Sequence, residues 1–145
     1  MGRLDGKIAI VTGATSGIGR RTAEIFVREG ARVVTTGRRE ELGRSLEAAL
    51  GKDKCLFVKA DATREADVKA MIDACMSKWG RLDCLFNNAG GPSPVGGIET
   101  VTVEGFDAAM ATLVRSVMLG MKHVAPIMMR QRAGSIINNG SVAAQ

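Results

Sequence analysis

Tyrosine is missing from this 145-residue chain, and aromatic residues of any kind are scarce: one Trp and four Phe amount to 3%. There is no platform on which bases stack, and the 20 Lys and Arg are scattered instead of forming a stripe, so the net charge of +5 does not describe a nucleic-acid binder. Histidine occurs once, as His123, and the three cysteines (Cys55, Cys75, Cys84) are odd in number and lack the paired spacing of a metal site. No metal is expected, and free buried thiols point to a reducing, cytoplasmic setting. No apolar signal segment opens the chain, and no apolar run approaches a membrane span. Low-complexity tracts and internal repeats are also absent. What remains is 46% apolar and 24% charged, enough for one globular domain over residues 1–145 with a real core.

Glycine is the residue present in force, 18 in all, and it punctuates a regular alternation. Ile8 to Val11 is a short apolar run without polar interleaving, as in a parallel strand covered on both faces. Gly13, Gly17 and Gly19 follow within seven residues, and a helical pattern begins at Ile18 and continues over Arg20 to Glu29, stopped by Gly30. Strands are predicted at Arg32–Thr36, Lys54–Lys59, Leu82–Phe86 and Gly134–Asn139. Helices are predicted at Glu40–Leu50 and Glu65–Trp79, with one long helix over Val103–Gln131 bent at Pro126. Between Gly91 and Gly97 two prolines and three glycines mark a connection with special backbone needs. This alternation implies βαβ units. Right-handed crossovers then give an α/β, doubly wound, Rossmann-type parallel sheet in strand order 3-2-1-4-5.

A strand that feeds a glycine turn at a helix N-terminus is an anion site. The first N–H groups and the positive end of the helix dipole face the ligand, and absent side chains let a pyrophosphate approach. Gly13, Thr15, Ser16, Gly17, Ile18 and Gly19 are the candidates for that cradle. About 20 residues beyond such a turn, at the end of the second strand, a carboxylate selects NAD by bonding the ribose 2′-OH. Here that place is Gly37, and Arg38 follows, a guanidinium able to pair with a 2′-phosphate through two bonds. NADP(H) is therefore the favoured cofactor and NAD(H) the alternative.

The spacing Thr12-Gly13-x-x-x-Gly17-Ile18-Gly19 resembles the cofactor turn of the short-chain dehydrogenase/reductase family, and three later stretches resemble it too. The resemblance implies that Asp61, with Ala62 beside it, accepts from the adenine amino group, although Asp61 alone also suits a helix N-cap. It implies that Asn88, Ala89 and Gly90 of the run Asn87-Asn88-Ala89-Gly90 brace the sheet and lie against the nicotinamide ribose. It also implies that Ser141, just past the last strand, holds the oxygen of an alcohol or carbonyl substrate while a hydride is transferred. Two departures stand out. The family's Tyr and Lys pair is absent from the chain, and Leu113 stands where an Asn usually orders a relay water. Gly140 also replaces the customary Ser before Ser141. A non-catalytic dinucleotide-binding module is the competing reading. Family members continue through further helix and strand, so the chain resembles the N-terminal part of such a protein. The long helix, rich in Met, implies by the same resemblance a homo-oligomer. His123 on that helix is expected at a surface or interface.

Overall fold

A computed structural model of the chain describes residues 2–141. In chain order the elements are β1 (Ile8–Val11), α1 (Gly17–Arg28), β2 (Arg32–Gly37), α2 (Glu40–Leu50), β3 (Cys55–Lys59), α3 (Glu65–Trp79) and β4 (Cys84–Asn87). A short 3₁₀ turn (Ile98–Thr100) then leads to α4 (Val103–Met110), a π turn (Ala111–Arg115), α5 (Ser116–Gln131) and β5 (Ser135–Asn138). The five strands form one sheet in the order β3-β2-β1-β4-β5, every neighbouring pair parallel. This is the Rossmann-type arrangement expected from the alternation.

All four residues of β1 are buried, which places it at the centre with a layer of helices on each face. Because successive strand residues point to opposite faces, Ile8 and Ile10 join Val68, Met71, Leu119 and Val124 in one core. Val11 points the other way and packs with Ala23, Val33 and Leu46 in the second. Glu47 looks out of place in that layer. Its buried carboxylate is occupied, accepting the Phe57 N–H at 2.8 Å.

The run from Val103 to Gln131 is helical throughout, as expected, but it is not α-helical throughout: it widens into a π turn at 111–115, and Pro126 lies inside α5. A π turn widens the backbone and leaves carbonyls without their usual partners. The Ser116 hydroxyl donates to the Thr112 carbonyl of this turn at 2.6 Å. Strand boundaries shift by one or two residues, most at β4, which starts at Cys84 instead of Leu82 and ends at Asn87. β5 is an edge strand, mostly exposed, and a cavity of about 320 Å³ lined by Phe26, Cys84 and Ile137 opens on the α1 side of β4 and β5. Cys55 and Cys75 are buried free thiols as expected, and Cys84 is half-buried. Among the described residues no helix is long and apolar enough to cross a membrane, and no cluster of possible metal ligands occurs.

Candidate functional site

At the carboxyl end of β1 the chain has to turn sharply and enter α1. Thr12 anchors that turn: its hydroxyl donates to the Phe86 carbonyl at 3.3 Å and accepts from the N–H groups of Asn88 and Ala89 at 3.0 and 2.9 Å. The turns after β1 and β4 are thereby tied edge to edge. Gly13 (φ +65°) lies against Ala89, where a Cβ would come within 2.8 Å of the Ala89 Cα. Gly19 is buried under the turn, and a Cβ there would stand 2.4 Å from the Gly13 carbonyl oxygen. Gly17 differs. Its φ is +55°, and a Cβ would meet nothing within 4 Å, because the space beside it is open.

The start of α1 is left chemically unfinished. Ser16 stands at the N-cap with extended backbone, yet its side chain makes no capping bond, and the first turn has no acidic residue. The helix therefore presents bare N–H groups and its positive end to the crevice, the condition that favours a bound anion. The residues present fit a pyrophosphate.

Opposite the turn, two arginines stand at the end of β2. The Arg39 guanidinium donates to the Thr15 hydroxyl from Nη2 at 2.9 Å and from Nε at 3.2 Å, and also to the Ser16 hydroxyl. Arg38 lies close enough to Asp61 to act on its charge. Burial works to raise the Asp61 carboxyl, but the Thr63 backbone N–H and hydroxyl on its Oδ1 (2.9 and 2.7 Å), with Arg38 and Arg64 nearby, hold it below the ordinary aspartate value. Asp61 is thus not the N-cap of α3, a position held by Arg64; it closes a turn two residues long.

These parts enclose a crevice of about 740 Å³ along the carboxyl ends of β1 to β4, within the range that takes small-molecule ligands. Gly13, Thr15, Ser16, Ile18, Arg38, Asp61, Ala62, Asn88, Ala89 and Gly90, all singled out from the sequence, line it. Three others do not. Gly17 and Gly19 shape the turn from behind, and Ser141, exposed three residues past β5, is outside the lining. Arg39, Thr112 and Asn139 line the crevice without having been expected there. The Arg38-Arg39 doublet was the available signal for the first. Nothing in the spacing pointed to the other two. His123 is partly buried on α5, where its Nε2 lies 2.9 Å from the Glu65 carboxylate of α3, so it joins two helices and takes no part in the crevice.

At the far end the turn after β4 is bonded to β5 by paired side-chain amides. Asn87 Nδ2 donates to Asn138 Oδ1 at 2.9 Å, and Asn139 Nδ2 donates to Asn88 Oδ1 at 3.0 Å. Asn88 Nδ2 in turn donates to the Thr12 and Gly13 carbonyls at 3.1 and 3.4 Å. Asn87 is buried against α5, and Gly120 makes room for it, since a Cβ there would lie 2.5 Å from Asn87 Oδ1.

A parallel sheet with a glycine turn at the strand-order reversal and an open helix N-terminus defines a Rossmann-type protein with an anion-accepting crevice. The particular family follows from sequence comparison: residues 7–145 match the short chain dehydrogenase family, and the chain belongs to it. It is 44% identical over 143 residues to momilactone A synthase of Oryza sativa subsp. japonica, covering 97% of this chain and 52% of that protein. It is 41% identical to short-chain dehydrogenase reductase 3a of Arabidopsis thaliana, covering 99% of this chain and 56% of the relative. Among solved structures, a 3-ketoacyl-(acyl-carrier-protein) reductase from Brucella melitensis complexed with NADH superposes with a TM-score of 0.91 at 36% identity, over 97% of this chain and 60% of that one. A short chain dehydrogenase/reductase from Burkholderia phymatum in complex with NAD also superposes at 0.91, with 32% identity, over 99% and 52%. The chain spans about half the length of the curated relatives it matches.

Proposed function

We propose that the chain is the nucleotide-binding domain of an oxidoreductase that transfers a hydride between NADP(H) and an alcohol or carbonyl compound. The observation that carries this reading is the uncapped N-terminus of α1, with no acidic residue in its first turn, beside a crevice lined by Gly13, Thr15, Ser16 and Ile18 of the glycine turn. There the backbone N–H groups hold the pyrophosphate. Asp61 and Ala62 take the adenine end, and Asn88, Ala89 and Gly90 lie along the nicotinamide ribose. When bound, the coenzyme supplies or accepts the hydride. This chain's part is to position it, and Ser141 holds the substrate oxygen beyond β5. Membership of the family favours this enzyme over a binding module without turnover.

The preference for NADP(H) rests on the end of β2. A Cβ on Gly37 would stand 2.6 Å from the Thr15 methyl, and Thr15 is buried and stiff, so the carboxylate that selects NAD has no room there. Arg38 meanwhile offers a guanidinium fork to a 2′-phosphate, and Arg39, its Nε and Nη2 bonded to Thr15 and Ser16, adds its charge to the crevice lining beside it. The NAD(H) held by the two solved relatives supports a nicotinamide coenzyme and makes NAD(H) the competing ligand. Three free cysteines accord with a reducing, cytoplasmic setting, and the exposed apolar residues of α4 and α5 with a homo-oligomer.

Titration by coenzyme fluorescence tests the reading. NADPH is expected to bind saturably and more tightly than NADH. Replacing both Arg38 and Arg39 by Ala is expected to abolish the difference, each lost charge-assisted bond being worth about 1.5–3 kcal/mol. No saturable signal with either coenzyme would overturn the assignment.

A further inference from the structure

Resting on the coenzyme reading above, we propose that Asn139 is a positioning residue that couples occupation of the glycine-turn crevice to the end of β5, which carries Ser141. Asn139 lines the crevice, and its exposed side chain is oriented by a hydrogen bond and not by packing. Its role follows from the orientation of Asn88. The two carbonyl oxygens of Thr12 and Gly13 require donors, which fixes the Asn88 amide with Nδ2 toward the turn. Asn88 Oδ1 then faces β5 and takes a donor, and Asn139 Nδ2 supplies it at 3.0 Å. A flipped Asn88 would set oxygen against oxygen at the glycine turn.

The result is a short chain of bonds with one direction. It runs from the Gly13 carbonyl through Asn88 to the side chain of Asn139. The Asn139 backbone N–H is itself held by the Asn87 carbonyl at 3.0 Å, and Ser141 follows two residues later. A ligand that presses on the glycine turn and on Asn88 is therefore felt at the strand end that presents Ser141. Such a coupling needs two sites and a contact that differs between their states. Here the contact is a single amide-to-amide bond from Asn139 to Asn88, and removing it alters one residue of the crevice lining while leaving the glycine turn and Ser141 unchanged.

The experiment is amide hydrogen exchange of the chain with and without saturating NADPH, in the unaltered protein and in Asn139→Asp. Aspartate keeps the size and loses the donor. In the unaltered protein NADPH is expected to slow exchange both at 13–19 and at 139–141. In Asn139→Asp, whose added charge in the crevice lining weakens binding and which is therefore brought to saturation by its own titration, the first protection is expected to persist and the second to fall about fivefold, the effect of one lost bond on a local opening. Asn139→Ala is the second variant, free of added charge, and is expected to behave the same way. Ligand-dependent protection at 139–141 that survives both substitutions, or that is absent from the unaltered protein while NADPH binds, overturns the coupling. Failure of the unaltered protein to bind either dinucleotide is a different outcome and overturns the parent reading together with this one.

Discussion

Gly17 and Gly19 stand two residues apart in one turn, and replacing the glycine acts through a different cause at each. At Gly17 an added methyl meets open space but a positive φ, so Gly17→Ala is expected to cost about 1–2 kcal/mol of stability from backbone strain. Gly17 is the first residue of α1, so the same strain would turn the leading N–H groups away from the anion, and coenzyme affinity should fall about tenfold or more while the thermal melt stays cooperative. At Gly19 a methyl would collide with the Gly13 carbonyl and with the Asn88 amide 2.6 Å away, both part of the turn itself. Gly19→Ala is therefore expected to cost about 2–3 kcal/mol or more through forced movement of backbone. Thermal melts of the pair, run beside coenzyme titrations, separate the two effects. Equal loss of stability at both positions would contradict the assignment of Gly17 to the ligand and Gly19 to the fold.

Among the elements, β1 is held at its entrance by a charge. Asp83, just before β4 and only 8% exposed, accepts the Ile8 N–H on Oδ2 at 2.9 Å, and the Arg81 guanidinium grips the same carboxylate. Burial works to raise this carboxyl, but the Arg81 guanidinium and the Ile8 N–H outweigh it and hold it below the ordinary aspartate value. A folded-state value lower than the unfolded one stabilises the fold at pH above the unfolded value. That contribution disappears as pH falls through the lowered folded value. Denaturant unfolding followed from pH 7 down into the acid range should show this loss, and Asp83→Asn should flatten it. Asp83→Ala, which leaves the buried Ile8 N–H without its acceptor, is expected to cost about 1.5–3 kcal/mol at pH 7. Burial acts without opposition at Cys75, whose thiol is pushed up to about 12 and should resist alkylation in the folded protein.

For the whole molecule, the telling feature is an uncovered apolar face on the long helical run. Phe106, Met110, Val114, Met118 and Met121 recur at three- and four-residue intervals on α4, the π turn and α5, and all are exposed. An exposed apolar face of this extent is the mark of a contact surface, and a second copy of the chain is the proposed occupant. Sedimentation at micromolar concentration is expected to show a species larger than the monomer, and Val114→Glu with Met118→Glu is expected to shift it toward the monomer. A monomer in the unaltered protein would remove this proposal and leave the coenzyme site untouched.

The sequence by itself determined the sheet order and the location of the crevice. Both rest on local chemistry: continuous apolar runs between helical periods, and glycines where strand meets helix. The ends of α2 and α3 were equally legible, because Gly51 and Gly80 stop them. Tertiary structure decided what depends on approach between distant segments. Arg39 reaches Thr15 across 24 positions, Asn139 meets Asn88 across 51, and the room denied to a side chain at Gly37 is set by Thr15 from another turn. The π turn within the long helix belongs here too, since it has no residue signature of its own. A chain announces where its backbone is free to turn. Which side chains then meet is fixed only when the sheet brings the strand ends together.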